Sequence, residues 1–567
     1  MVMNKVARRT RTRALQGSAV AVSAIASLVV APAAGAREHS HWAGRDSRLV
    51  PNSLVISGTV FPSAGVNLSV GQMLPYATNW GNKYPEPTPV VDAQAVADGQ
   101  YPYIFNNDGP DGSFAVNTPI DLWDVSLGGR PLGTVEVPTD EMTTSFSSKS
   151  ELAINVSTDG QDVSFSGYNA AVGAFDASNS NTPGIVDPTN PDLAGPYFRV
   201  AGDVSSDGRM TFTETNSYTG DNERAVLLDN ADNEFFASGN DNNGNFGKSH
   251  TPAIPAGMVD ATGAQIYPES FASEADQTAA GGDPAGLMAT FNIDWLPQYS
   301  TVTDKPGKDT NFRGLTEFNN VVYYTKGSGG NGVNTVYFVD TTGTACSQTN
   351  PVGIPAPDAQ LPSPSTTYNL CILRGFNEQA ASTDANDFPF GLWFANKDTL
   401  YVADEGNGNF GTLDPSNPYA DAQAEQYAGL QKWVFNQNTQ SWQLAYVLQD
   451  GLNLGQPYTV PGYPTGDNVS YGGSGLPWAP ATDGLRNISG HVNGDGTVTI
   501  YATTSTVSGS GDQGADPNKV VAISDKRGAQ SPGDERFVTV RPATFGVRYG
   551  GVAVLPRDFG HQRHSHH

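Results

Sequence analysis

Along most of this chain the apolar positions come in short runs broken by clusters of Gly, Asn, Asp and Thr. Residues 391–408, GLWFANKDTLYVADEGNG, show the unit. An apolar run (Leu392, Trp393, Phe394) meets a polar turn at Asn396-Lys397-Asp398, and a second run (Leu400, Tyr401, Val402) follows. The unit closes on Asp404, Glu405 and a Gly/Asn loop. Aromatic and β-branched runs between turn-forming residues predict a β-hairpin that leads into a polar loop. Outside the first 36 residues, no apolar run at helical spacing exceeds about three turns.

The unit recurs. Its inner strand ends in a polar turn, its second strand enters a Gly/Asn/Asp loop, and its third strand ends in Asp or Asn. It reads ELAINVSTDGQ, DVSFSGYNA, AVGAFDA at 151–177 and RAVLLDNADN, EFFASGN, DNNGNFG at 224–247. It reads RGLTEFNN, VVYYTKG, TVYFVD at 313–340 and FGLWFANKD, TLYVADEG, LQKWVFN at 390–436. It reads LRNISGHVNGDG, TVTIYATTS, KVVAISD at 485–525. Strands YFRVAGD, YNLCILR, WQLAYVLQ and FVTVRP supply fourth members, while the hairpin at 203–216 fits less cleanly. A first unit at 101–125 (YPYIFNN, TPIDLWDV) lacks an inner strand, and FGVRYGGVAVLP at 545–556 is an inner strand without a unit.

Sheets repeated round an axis hide both faces and leave few exposed edges, which is the logic of a β-propeller. The expected fold is therefore all-β: a single β-propeller of six or seven four-stranded blades over 53–556, closed by N- and C-terminal strands in one blade. The spacing, roughly 60–95 residues, exceeds the usual propeller repeat of about 40–50. Pro/Gly/Ala/Asn-rich inserts at 251–290, 341–367, 411–428 and 451–484 account for the excess. A sandwich pair or a β-helix would also give many short strands. TLYVADEGNG followed by LQKW, and TVYFVD, resemble repeats of the NHL/YVTN type of β-propeller. That resemblance implies the architecture and no particular function.

Charge and the chain ends add an expected location. Lys5, Arg8, Arg9, Arg11 and Arg13 precede ALQGSAVAVSAIASLVV, and Ala34-Gly35-Ala36 follows as a small-residue cleavage pattern. Residues 1–36 thus read as a signal peptide, with 37–52 a flexible segment and 557–567 a disordered His-containing tail. The protein is expected to be secreted or periplasmic, monomeric, and without a membrane span after cleavage. Losing five basic residues takes the formal charge from −26 to −31, which repels nucleic acid. Cys346 and Cys371, the two cysteines, are expected to pair outside the cytoplasm.

Candidate chemistry lies in the polar loops. In a propeller, loops between second and third strands share a face with the links between blades, where ligands bind. Asp108, Asp111, Asp241, Asp404, Glu405 and Asp512 occupy such loops and offer the hard oxygens that calcium takes. Asn, Asp and Gly also suit tight turns for backbone reasons alone. Glu317, Asn396, Asp404 and Asn487 lie on or just after strands that could face a channel, where one metal could activate water, as in regucalcin/gluconolactonase-type propellers. No motif of that type matches residue by residue. His491 beside Asp495 is a candidate general base; His250 is the other histidine outside the tails. Two readings follow: a binding or scaffold protein, with a carbohydrate or protein ligand and calcium at its loop face, and a metal-dependent hydrolase of esters, lactones or phosphoesters.

Overall fold

A computed structural model describes residues 48–62, 100–108, 114–184, 195–240, 263–269, 286–287, 311–328, 332–347, 350–363, 368–381, 384, 386–409, 417–470 and 473–560. The signal-peptide assignment, residues 561–567 of the tail, Asp111, Asp241 and His250 lie outside them; of the rest of the tail, Phe559 is buried and Gly560 donates to Gln161.

Six sheets follow one another round an axis, five of four strands and one of five. Blade 1 takes its inner strand from the end of the chain: Val547–Val554 pairs antiparallel with Ser53–Val60, which pairs with Asp121–Ser126, then Pro131–Glu136. Blade 2 runs Asn155–Val156, Asp162–Tyr168, Arg199–Ser205, Met210–Thr215. Blade 3 runs Glu223–Asp229, Glu234–Gly239, Ala264–Pro268, Gly286–Leu287. Blade 4 starts Phe312–Phe318, Val321–Lys326, Thr335–Asp340; Asn369–Leu373 is its fourth strand, with Val352–Gly353 added parallel outside. Blade 5 runs Pro389–Asn396, Thr399–Asp404, Gly429–Asn436, Ser441–Leu448. Blade 6 runs Ala481–Val492, Thr497–Val507, Val520–Lys526, Val538–Arg541.

The inner strands touch in the order 1 to 6 and back to 1, so the ring is closed. The close approach excludes side chains at particular points. A Cβ on Gly314 would sit 2.1 Å from the Phe390 carbonyl oxygen, and one on Gly391 would sit 2.6 Å from that of Arg486. Between blades 4 and 5 the packing is apolar: Leu315, Leu392, Phe394 and Trp442 share one cluster.

Three strand expectations change. YPYIFNN is not a strand: Tyr103–Asp108 forms a 3-10 helix, and Ser53–Val60 is the second strand of blade 1. Pro102 follows Tyr101 and carries no N–H for a ladder, while SLVISGTV has an unbroken β pattern, seven of its eight residues buried. AVGAFDA is likewise no strand, and Arg199–Ser205 takes its place, leaving the 203–216 hairpin as the outer half of blade 2. The segment read as an insert at 251–290 holds the third and fourth strands of blade 3.

Cys346 and Cys371 are bonded, with Cα atoms 5.9 Å apart, tying the loop after the third strand of blade 4 to the fourth. Asp340 shapes that loop. Its Oδ1 accepts from the N–H of Thr342 and Gly343, and its Oδ2 from Ala345 at 2.8 Å and Cys346. Among the described residues no helix is long and apolar enough to cross a membrane.

Candidate functional site: a cationic mouth of the propeller

Each inner strand starts at the end of the channel where blades are linked. Arg224, Arg313 and Arg548 are the second residues of the inner strands of blades 3, 4 and 1. Arg486 lies within the inner strand of blade 6, followed by Asn487 and Ile488 as Arg313 is by Gly314 and Leu315. Phe390 takes the position in blade 5, and Leu152, just before the inner strand, in blade 2. Arg224, Arg313 and Arg486 thus stand at like positions in three blades, whereas in blade 1 that position is Gly550 and Arg548 lies two residues earlier; all four arginines are buried.

A cavity of about 560 Å³ opens at this end, lined by Lys149, Arg224, Arg313, Asp221, Asp512 and several serines. Its walls come from links between blades and from loops between second and third strands. The loop face expected from the sequence is therefore where the polar cavity lies. A second cavity, about 250 Å³, lies along the channel between inner strands of all six blades. Its lining includes Leu227, Leu315, Leu392, Ile488 and Val552.

The charges at the mouth are partly matched. Glu405 accepts from Arg486 Nε at 3.2 Å and lies 4.0 Å from Lys149 Nζ. Burial by itself would raise the Glu405 carboxyl; Lys149, Arg486 and Arg313 together outweigh it and hold the group below its ordinary value. Arg224 donates to the Phe312 carbonyl at 2.8 Å and to Asn311 Oδ1; Arg313 donates to the Ser328 hydroxyl. Arg548 reaches the Ser145 carbonyl at 3.4 Å. The Nε of Arg224, Arg313 and Arg548 each lack a hydrogen-bond partner. Among the described residues no carboxylate oxygen lies within 4.0 Å of these three. Burial lowers the Arg224 guanidinium well below its ordinary value and Arg313 adds to this; burial and then Arg486 lower Arg313.

Of the residues singled out in the sequence, Glu405 and Asp512 come to this mouth, both acting on Lys149. Asp512 accepts from the Gly514 N–H at 2.7 Å and caps a short 3-10 turn. Asp404, fully buried, accepts from the N–H of Phe388 and Gly406 and from Gln431. Burial first of all raises it far above the usual carboxyl range. Asp108 ends the 3-10 helix. Calcium takes six to eight oxygens, whereas Glu405 meets cationic side chains and Asp404 meets N–H donors. These two do not fit that ion.

Of the channel candidates, Glu317 and Asn487 line the channel cavity and Asn396 lies outside its lining. Glu317 accepts from the Asn320 N–H at 2.7 Å in the hairpin leaving the inner strand of blade 4. Asn396 accepts from the Asp398 N–H at 2.8 Å in the corresponding hairpin of blade 5. Asn487 donates to the Gly550 carbonyl at 2.7 Å and joins blade 6 to blade 1. His491 stacks on Tyr501, and Asp495 accepts from Thr497 instead, so the expected dyad is not formed. A group absent from the sequence reading is Asp229, Asp232 and Glu234, whose ligand atoms lie within 4.8 Å of one another on the first hairpin of blade 3.

The arginine cluster was missed, although the strings RAVL, RGLT and RNIS put Arg at like positions of three inner strands. Aligning the strands on their small residue would have found it.

No protein-family model matches the chain, and no curated protein matches it. Among solved structures, it is similar to a hypothetical selenium-binding protein from Sulfolobus tokodaii at 9% identity and TM-score 0.37, covering 89% of this chain and 93% of the other. A phage phi92 endosialidase matches at 9% identity and TM-score 0.23, over 81% and 64% of the two chains. A polysaccharide lyase, an ulvan lyase, matches at 10% identity and TM-score 0.26, over 87% and 96%.

Proposed function

We propose that this protein is a binding propeller whose ligand seats in the mouth cavity at the blade-link face. The observation that carries the reading is the cavity itself: about 560 Å³, walled by polar side chains from several blades, in the range of small-molecule sites. The hydrolase reading draws less support. Glu317 and Asn487 line the channel cavity but each is engaged with a backbone group, and Asn396 lies outside that lining. A cation-centred reaction needs its ligands to converge.

The test is a thermal-shift and calorimetric screen of the protein against neutral and charged sugars, organic acids and short peptides. Ser148 lines the cavity and is only half-buried, so Ser148→Trp fills it from the wall. A compound that binds the native protein and not Ser148→Trp supports the reading. Compounds that bind both equally, or a screen in which nothing binds, would overturn it.

A further inference from the structure

Resting on that reading of the mouth, we propose that the cavity takes an oxyanion, a carboxylate or phosphate group of a small ligand, between Arg224 and Arg313 with Lys149 at the entrance. Arg224 and Arg313 are each 5% exposed and line the cavity. Each carries an Nε donor with no partner, and neither has a carboxylate within 4.0 Å among the described residues. Removing one partner of a buried charge is costly because the other charge is left uncompensated. Asp221 offsets Arg224 and Glu405 offsets Arg313 only in part, and the two guanidinium groups oppose each other, so an anion between them relieves both burdens at once.

Composition sharpens the point. The chain has 31 Lys and Arg against 57 Asp and Glu, yet Lys149, Arg224, Arg313, Arg486 and Arg548 are gathered at one end of the channel. The carboxylates in the cavity wall are engaged by donors. Asp221 accepts from Asn240 Nδ2 at 2.6 Å and from the Asn222 N–H, and Asp512 accepts from Gly514. Burial first of all pushes Asp221 up to about 6, so it offsets less than a full charge in mildly acidic solution. Lys149, with 43% of its side chain exposed, is placed to meet an incoming anion. Guanidinium is the cation suited to this task, since its planar fork matches carboxylate and phosphate oxygens.

The experiment is isothermal titration of the full chain at constant ionic strength in chloride, with inorganic phosphate, glucuronate and neutral glucose as probes. Saturable binding of phosphate or glucuronate, with glucose silent, is the expected result; which of the two binds tells phosphate from carboxylate. Arg313→Gln should weaken that binding about tenfold or more, the size of one charge-assisted hydrogen bond. Arg313→Lys should restore part of it. Because Glu405 keeps Lys149 and Arg486 when Arg313 is replaced, the melting temperature of Arg313→Gln in anion-free buffer should stay close to that of the native protein. No binding of either anion, or equal binding by native and Arg313→Gln protein, would overturn the proposal. A neutral compound blocked by Ser148→Trp but untouched by Arg313→Gln would overturn the oxyanion and leave the mouth as a binding site.

Discussion

Between blades 5 and 6 lies an ion pair with no exposure, and replacing its lysine should destabilise the propeller more than any surface change. Lys432 on the third strand of blade 5 meets Asp525 on the third strand of blade 6 at 2.9 Å, and both side chains have zero accessibility. Lys432 Nζ also donates to Tyr446 Oη at 2.8 Å, to the Lys526 carbonyl at 2.7 Å and to that of Ala529 at 3.1 Å. Asp525 accepts from Tyr446 Oη at 2.7 Å and from Tyr401 Oη. Lys432→Met keeps the aliphatic stem and removes the charge. Asp525 then stays buried with two phenol donors and no cation, which costs about 3–5 kcal/mol. Unfolding entropy near 2.1 cal/mol/K per residue gives about 1 kcal/mol/K over roughly 500 residues, so the melting temperature should fall by about 3–5 °C. Lys432→Met with Asp525→Asn keeps an acceptor for the tyrosines without the charge, and should recover half or more of the loss. The assay is a double-mutant cycle by calorimetry and urea unfolding. A loss under about 1 kcal/mol for Lys432→Met, or strict additivity of the two singles, would show that the pair does not hold the blades as argued.

Other perturbations have defined outcomes. Opening the Cys346–Cys371 bond, a separation of 25 residues, by Ala substitution should cost about 3.5 kcal/mol in the loop-entropy account, and reductant should lower the native melting temperature equally. Ending the chain before Val547 leaves Ser53–Val60 without its inner partner, so cooperative melting should be lost and dye binding to apolar surface should appear; an unchanged melt would refute ring closure. Stability should fall as pH rises from about 5 to 8. Burial, with Glu425 and Glu405 nearby, pushes Asp483 up to about 8, and burial pushes Asp516 and Asp203 up to about 7. Unfolded aspartate titrates near 4, so the folded state retains protons that the unfolded chain has released. Their contribution is complete below about pH 4 and is lost as pH passes the raised values. Asp483→Asn should therefore flatten this slope and melt above the native protein at pH 8; a variant that melts lower there with the slope unchanged would refute it.

Short β-branched and aromatic runs separated by Gly/Asn turns were enough to name an all-β repeat, its ring closure and most of its strands, since period-two patterning and turn chemistry act over a few residues. The cysteine pair was equally readable, two being present. The Tyr103–Asp108 helix shows where that reading failed, for a loop held by Phe105, Phe114 and Phe146 packing has no periodic signal. Which polar residues meet was settled by register and closure alone. Glu317 and Asn487 do line the channel, as their strand positions suggested, but each is already engaged with a backbone group, and Asn396 serves a hairpin outside that lining. Arg224, Arg313 and Arg486 stand up to 262 positions apart along the chain and come together because equivalent strand positions from different blades reach the same height on the axis, with Arg548 joining them from two residues earlier in its strand. Local sequence fixes each strand; only packing the blades round the axis gathers those arginines.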